Sequence, residues 1–126
     1  MNKNYPIYKT TFIDDMRSLV EESAQNFPDS IAISYKDKPS DKEVKKVTFT
    51  QWRDDVRHLG TSLIANGLRE ENIAIVGENT YGWCCSFFAV MGIGSVTVPV
   101  DKELPIEDID GIITTTSCKA VIYGKT

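Results

Sequence analysis

Between Glu78 and Asp101 the chain carries no charged residue, and that gap limits the possible folds more than any other feature. A run of this kind belongs either inside a bilayer, which takes roughly 20 apolar residues, or between the layers of a folded domain. Asn79, Thr80, Tyr81, Gly82, Ser86, Ser95 and Thr97 interrupt its apolar character, Gly92 and Gly94 lie within it, and Pro99 stands near its end. A spanning helix needs an unbroken apolar stretch. Here helix formers give way to β-branched residues at Gly94, so the sequence predicts interior material and no transmembrane span.

The same stretch divides into three elements. Ile73 to Val76 is short, apolar and β-branched, and Gly77 stops it, as expected of a strand covered on both faces. Asn79 or Thr80 can cap a following helix by accepting from a free N–H of its first turn. From Trp83 to Met91 the residues are apolar or small on nearly every side, which predicts a helix pressed between layers. Gly92 and Gly94 end it, Ser95 to Val98 reads as the next strand, and Pro99 closes that strand. Strand, helix and strand within about thirty residues form a βαβ unit, which implies a parallel sheet.

The chain has 126 residues, the size of one domain. Its formal net charge is −4, from 14 basic and 18 acidic residues, so its field repels polyanions and nucleic acid is not an expected partner. Cys84, Cys85 and Cys118 share no metal-ligand spacing with His58, the only histidine, and read as buried reduced thiols. The polar and aromatic segment Met1 to Lys9 lacks the apolar core of an export signal. A cytoplasmic location is the expectation. Tyr5, Ile7 and Tyr8 in that segment are too apolar for a free tail, so it is expected to trail along another surface.

Ahead of the central unit, Thr11 and Asp14 suggest a capping box opening a helix whose inward face carries Met16, Leu19, Val20, Ser23, Ala24 and Phe27, with Pro28 as its stop. Ile31 to Tyr35 alternates as a half-exposed strand does, and Val44 to Phe49 is its hairpin partner across a solvated loop of mixed charge. Thr50 reads as the N-cap of a second helix, with Trp52, Val56, Leu59 and Leu63 on one stripe and Asn66-Gly67 as its stop. After the central unit, Pro105, Glu107 and Asp108 open another helix. Gly111 and Thr114 to Thr116 make it the weakest helix in the chain. Ala120 to Tyr123 is the last strand. The fold class is α/β, a doubly wound βαβαβ layer preceded by a helix and a β-hairpin.

Two glycine motifs fail as nucleotide sites. Gly124-Lys125-Thr126 lacks the earlier glycine of a phosphate loop, since Lys119 occupies its place, and no helix follows. Gly92-x-Gly94 follows a helix and opens a strand, the reverse of what pyrophosphate binding needs. No nucleophile pairs with a base. From the residues alone, this is a soluble α/β domain without an evident catalytic, cofactor-binding or metal site.

Three passages nevertheless resemble the N-terminal part of the AMP-forming acyl-CoA synthetases, luciferases and peptide-synthetase adenylation domains. Val47-Thr-Phe-Thr-Gln-Trp52 is similar to their Leu-Thr-Tyr-x-Glu-Leu. Asn72-Ile-Ala-Ile-Val-Gly-Glu-Asn79 followed by Trp83 is similar to their Asp-Arg-Val-Ala-Ile-x-x-x-Asn-x-x-Glu-Trp. Phe88 to Asp101 resembles their Leu-Ala-x-Leu-Lys-Ala-Gly-Gly-x-x-Val-Pro-Leu-Asp, with Gly94, Pro99 and Asp101 in place. Gly92, Ile93 and Ser95 depart from that pattern.

The resemblance implies that residues 1–126 are the incomplete N-terminal segment of an AMP-binding domain. The whole enzyme would join a carboxylic acid, a fatty acid or similar, to a thiol through an acyl-adenylate, using ATP, magnesium and coenzyme A. The family's phosphate loop, its ribose-binding Asp and its C-terminal lysine have no counterpart in these residues. The chain alone is therefore expected to scaffold without binding a cofactor, with the remainder of the enzyme as its partner and an open sheet edge through which it could self-associate. Two other functions compete: a standalone partner-binding or oligomerisation module, and a small flavodoxin-like binding protein. The second of these is opposed by Gly77-Glu78-Asn79, which places an acid where a phosphate would sit.

Overall fold

In the computed structural model the described residues are 11–124. The expected course of Met1 to Lys9, and the Lys125-Thr126 end of the discounted motif, lie outside them. The elements run α1 (Met16–Asn26), β1 (Ile31–Tyr35), β2 (Lys45–Thr48), α2 (Phe49–Ala65), β3 (Asn72–Val76), α3 (Tyr81–Gly92), β4 (Val96–Val100), α4 (Ile106–Thr115) and β5 (Ala120–Tyr123). β1 and β2 form an antiparallel hairpin, and the second sheet is parallel in the order β4-β3-β5. From β3 the chain crosses to β4 on one side, then back over β3 to β5 on the other. With right-handed crossovers this reversal sets α3 and α4 on opposite faces, the doubly wound layer expected.

The uncharged run folds back on itself as helix and strand. α3 has 12 residues and spans about 18 Å at 1.5 Å per residue, well short of the roughly 30 Å of a hydrocarbon core. Among the described residues no helix is long and apolar enough to cross a membrane. Gly94 permits the reversal with φ +80°, a conformation that other residues resist. The strand it leads into differs from expectation, because Pro99 lies inside β4, in register with Ile75, and does not close it.

Two helix starts also differ. Asp15 caps α1, its Oδ1 accepting from the Ser18 amide at 2.6 Å, in place of the expected Thr11 and Asp14 box. Thr48 caps α2 in place of Thr50: its Oγ1 accepts from the Gln51 amide at 3.2 Å, and Gln51 Oε1 accepts from the Thr48 amide at 2.9 Å. This reciprocal box takes Phe49 out of the strand and into the helix, and it was available to the sequence reading as Thr-x-x-Gln. Of the open pair at α3, Thr80 is the cap, accepting from the Trp83 amide at 3.1 Å.

The core lies between the parallel sheet and the layer α1, α2 and α3. Ile73, Ala74 and Ile75 in the central strand are 0 to 1% exposed, as a strand covered on both faces should be. Val20, Trp52, Val56, Leu63, Cys85, Ala89 and Val90 close over them. Trp52 meets Phe88 edge to face, with centroids 4.9 Å apart. Phe27, expected on the inward stripe of α1, is 58% exposed and makes a tilted contact with Phe49, because α1 has ended and the chain is already turning toward β1. On the opposite face α4 buries no residue completely.

Candidate functional site at the carboxyl ends of the parallel strands

Open α/β sheets bind ligands in crevices beyond the carboxyl ends of their strands. In this molecule the loops after β3 and β4 enclose a shallow cleft of about 440 Å³ there, lined by Gly77, Glu78, Asn79, Trp83, Asp101 and Lys102 among others. The stop at Gly77 and the cap at Thr80 put Glu78 and Asn79 on the floor, ahead of the first turn of α3. Trp83, on that turn, stacks on Phe87 with centroids 5.5 Å apart. Asp101 fixes the opposite loop, its Oδ1 accepting from the Glu103 amide at 2.9 Å.

Among the described residues the only cation lining the cleft is already engaged. Lys102 Nζ lies 2.6 Å from a Glu78 oxygen and 3.2 Å from a Glu103 oxygen. The hydrogen bond to Lys102 holds the Glu78 carboxyl below its ordinary range. The same bond, and then the bond to Glu103, hold the Lys102 ammonium above its own. A lysine shared by two carboxylates leaves a net negative rim, which suits the phosphates of a nucleotide poorly. Among the described residues no three His, Cys, Asp or Glu side chains gather as a metal site would require. The donor set therefore does not fit ATP with magnesium. The Lys102 bridge was not legible in sequence, since Glu78 and Lys102 sit in separate loops and meet only once β3 and β4 pair.

A second concavity, about 610 Å³, runs between α1, α2 and the end of α3, floored by Val20, Val56, Ala89 and Ile93. Arg57 spans its rim in a bidentate pair with Glu21. A further polar cluster joins the hairpin to both helices. Tyr81 stacks on Tyr35 at 5.0 Å and donates its hydroxyl hydrogen to Asp55 Oδ2 at 2.7 Å. Partial burial, then this hydrogen bond, push the phenol far above its ordinary range. Neither feature brings a nucleophile to a base.

The cysteines are free. Cys85 is buried, and Cys84 and Cys118 are half-buried. Burial pushes the Cys84 thiol up and the Cys85 thiol up to about 11, so neither supplies a thiolate at neutral pH. His58 is exposed. Gly124 follows β5, and Gly92 and Gly94 lie at the helix-to-strand turn before β4, the placements that discounted both motifs.

Comparison with known proteins places the chain in a family. The family described as AMP-binding enzyme matches residues 20–126. A mycosubtilin synthase polypeptide of Bacillus subtilis is 28% identical over 119 residues, which cover 94% of this chain and 4% of that protein. Long-chain-fatty-acid–CoA ligase FadD13 of Mycobacterium tuberculosis is 26% identical over 80 residues, which cover 63% of this chain and 16% of the relative. The chain thus spans a small fraction of these curated relatives. The N-terminal subdomain of Klebsiella oxytoca NpsA shares the fold at 23% identity with a TM-score of 0.77, the match covering 88% of this chain and 28% of that one. The N-terminal domain of FACL13 from Mycobacterium tuberculosis superimposes with a TM-score of 0.75 at 22% identity, over 89% of this chain and 27% of that one. By the extent of the family match, which takes in every element from the middle of α1 onward, this chain belongs to the AMP-binding enzymes.

Proposed function

We propose that residues 1–126 are the N-terminal segment of an ATP-dependent, AMP-forming acid-thiol ligase, and that their part in it is to scaffold. The observation that carries this reading is the family match over residues 20–126, on a chain whose cleft beyond β3 and β4 has its lysine tied to two carboxylates. When bound to the whole enzyme, ATP with magnesium would activate a carboxylic acid as its adenylate, and coenzyme A or another thiol would accept the acyl group. The residues of this chain do not fit those groups, so we derive no catalytic step through them.

The chain's own contribution is positional. Its parallel sheet and three-helix layer form a rigid wall, and the Glu78–Lys102 pair holds together the two loops that the wall presents. A fatty or similar carboxylic acid as substrate is supported by the likeness to the long-chain-fatty-acid ligase. The likeness to a peptide synthase supports a carrier-bound thiol as the alternative acceptor. A location in the cytoplasm agrees with the three free cysteines.

The test is direct. The 126-residue chain, mixed with ATP, magnesium and a panel of aliphatic and aromatic acids, is expected to release no pyrophosphate above a blank, whereas the longer polypeptide encoded by the same gene is expected to release it. Release by the short chain would overturn the scaffold reading. A standalone oligomerisation module is the second reading, favoured by the exposed apolar Val121 and Tyr123 on β5. A reading frame ending after Thr126, with a stable oligomer in solution, would decide for it.

A further inference from the structure

The concavity of about 610 Å³ between α1, α2 and the end of α3 has a cause in this particular sequence. In the pattern that Phe88 to Asp101 resembles, a lysine precedes Ala-Gly-Gly. Here that place is held by Gly92, on the last turn of α3. A Cβ built at Gly92 would meet nothing within 4 Å, so the glycine leaves open a space that a longer side chain would enter. The floor is apolar, made by Val20, Val56, Ala89 and Ile93, and Ile64 on its wall is 46% exposed. An apolar concavity of this size is a binding surface by its physics.

Glu70 stands at the lip. Its backbone is held in the left-handed region at φ +59°, which is unfavourable for any residue with a Cβ. Its Cγ lies beside Gly94, 3.9 Å from where a Cβ there would stand. Among the described residues its ion pair is with Arg69 Nε at 3.9 Å, too long for a hydrogen bond. The Glu70 side chain is 78% exposed, so its carboxylate can accept from a further cation.

The sequence supplies an occupant of matching character. Residues 1–10, which precede the described structure, carry Tyr5, Ile7 and Tyr8 together with Lys3 and Lys9, and no acid. Pro6 fixes one φ among them and bars a helix, which reduces the entropy lost when such a segment is laid along a surface. Thr11 to Asp14 alone separate it from Asp15, which lines the groove. Ten residues reach about 33 Å when extended, whereas α1, beside which the groove runs, has 11 residues and is about 16 Å long.

From these observations we infer that the groove is the seat of the chain's own residues 1–10: Tyr5, Ile7 and Tyr8 cover the apolar floor across the gap left by Gly92, and Lys3 or Lys9 meets Glu70 at the lip. A second copy of the chain is the weaker occupant, because a segment tethered at the groove's own margin competes at a far higher effective concentration. No step of adenylation enters this inference, and it stands or falls apart from the enzymatic reading.

Two measurements on the 126-residue chain test it. In nuclear Overhauser spectra the rings of Tyr5 and Tyr8 are expected to contact methyl groups of Val20, Val56 or Ile93, with intensities independent of protein concentration. The second is a double-mutant cycle in urea unfolding that combines Gly92→Lys with deletion of residues 1–10. In the deleted chain Gly92→Lys is expected to leave the unfolding constant unchanged or to lower it, since lysine is the better helix former and has room. In the intact chain the same substitution is expected to raise that constant about tenfold, because the lysine stem lies over the floor in place of the segment and its charge repels Lys3 and Lys9. Equal effects of Gly92→Lys in the two chains, or ring contacts that fall outside the groove, would overturn the inference. Contacts that strengthen with concentration would assign the groove to a second copy, and would overturn it too.

Discussion

At the residue scale, Cys85 shows how position sets chemistry. It is 6% exposed, and burial raises its thiol to about 11 against an ordinary 9.0. A raised acid favours folding while it stays protonated, so this contribution is fully present below pH 9 and is lost as the pH climbs toward 11. Chemical denaturation followed from pH 8 to pH 11 is expected to show stability falling in that window, and Cys85→Ala is expected to flatten the fall even though it lowers stability at pH 8. An unchanged slope in the variant would mean that other groups set the alkaline limit. The neighbouring thiol at Cys84 is only half-buried, which is why two adjacent cysteines of the same helix do not behave alike. Sequence composition indicated free thiols but could not say which of the pair faced the core, because α3 is apolar around most of its circumference.

At the element scale the α2 boundary gives the sharpest test. Thr48 and Gln51 satisfy each other's backbone amides, so Thr48→Ala removes a cap and is expected to cost about 1 kcal/mol in urea unfolding, within the range of such losses. A cost below about 0.3 kcal/mol would show that the box is incidental to the helix. Thr50, the residue the sequence suggested as the cap, instead donates from Oγ1 to Pro28 O at 3.0 Å, tying the start of α2 to the end of the α1 turn. Both threonines satisfy the rule for an N-cap, and only the position of the last hairpin rung, which is tertiary information, separates them. The same kind of limit explains Pro99. Its ring argues for a strand end in any strand whose neighbours are unknown, and for an ordinary edge position once β4 is seen to lie outermost. By contrast, the five strands and four helices were legible in order and type, because the switch from alternating to helical spacing is strong in this chain and each change is marked by Gly, Pro, Asn or Thr. The Glu78–Lys102 and Tyr81–Asp55 contacts were not, since each joins residues more than twenty positions apart whose approach depends on how the elements dock.

At the scale of the whole molecule the sheet has unequal faces, and that inequality governs where stability resides. The α1–α3 face carries the contiguous core, whereas α4 buries no residue fully and is held at its end by Asn72, whose side-chain amide donates to Thr116 O at 2.7 Å. Shaving the same side chain on the two sides should therefore have different effects. Ile75 is 1% exposed at the centre of the sheet, so Ile75→Ala leaves a cavity ringed by fixed neighbours and is expected to cost about 3 kcal/mol, in the usual range for a buried isoleucine. Ile112 is half-buried on α4, where solvent can fill the space, so Ile112→Ala is expected to cost about 1 kcal/mol. Urea unfolding of both variants at equal m-value measures the difference. Equal costs would mean that α4 is as firmly seated as the core around the central strand, and that the exposed Val121 and Tyr123 beside it belong to a finished face. A cost at Ile112 confined to about 1 kcal/mol, with α4 amides exchanging before those of α2 and α3, would locate the unfinished side of the molecule where the apolar surface remains open.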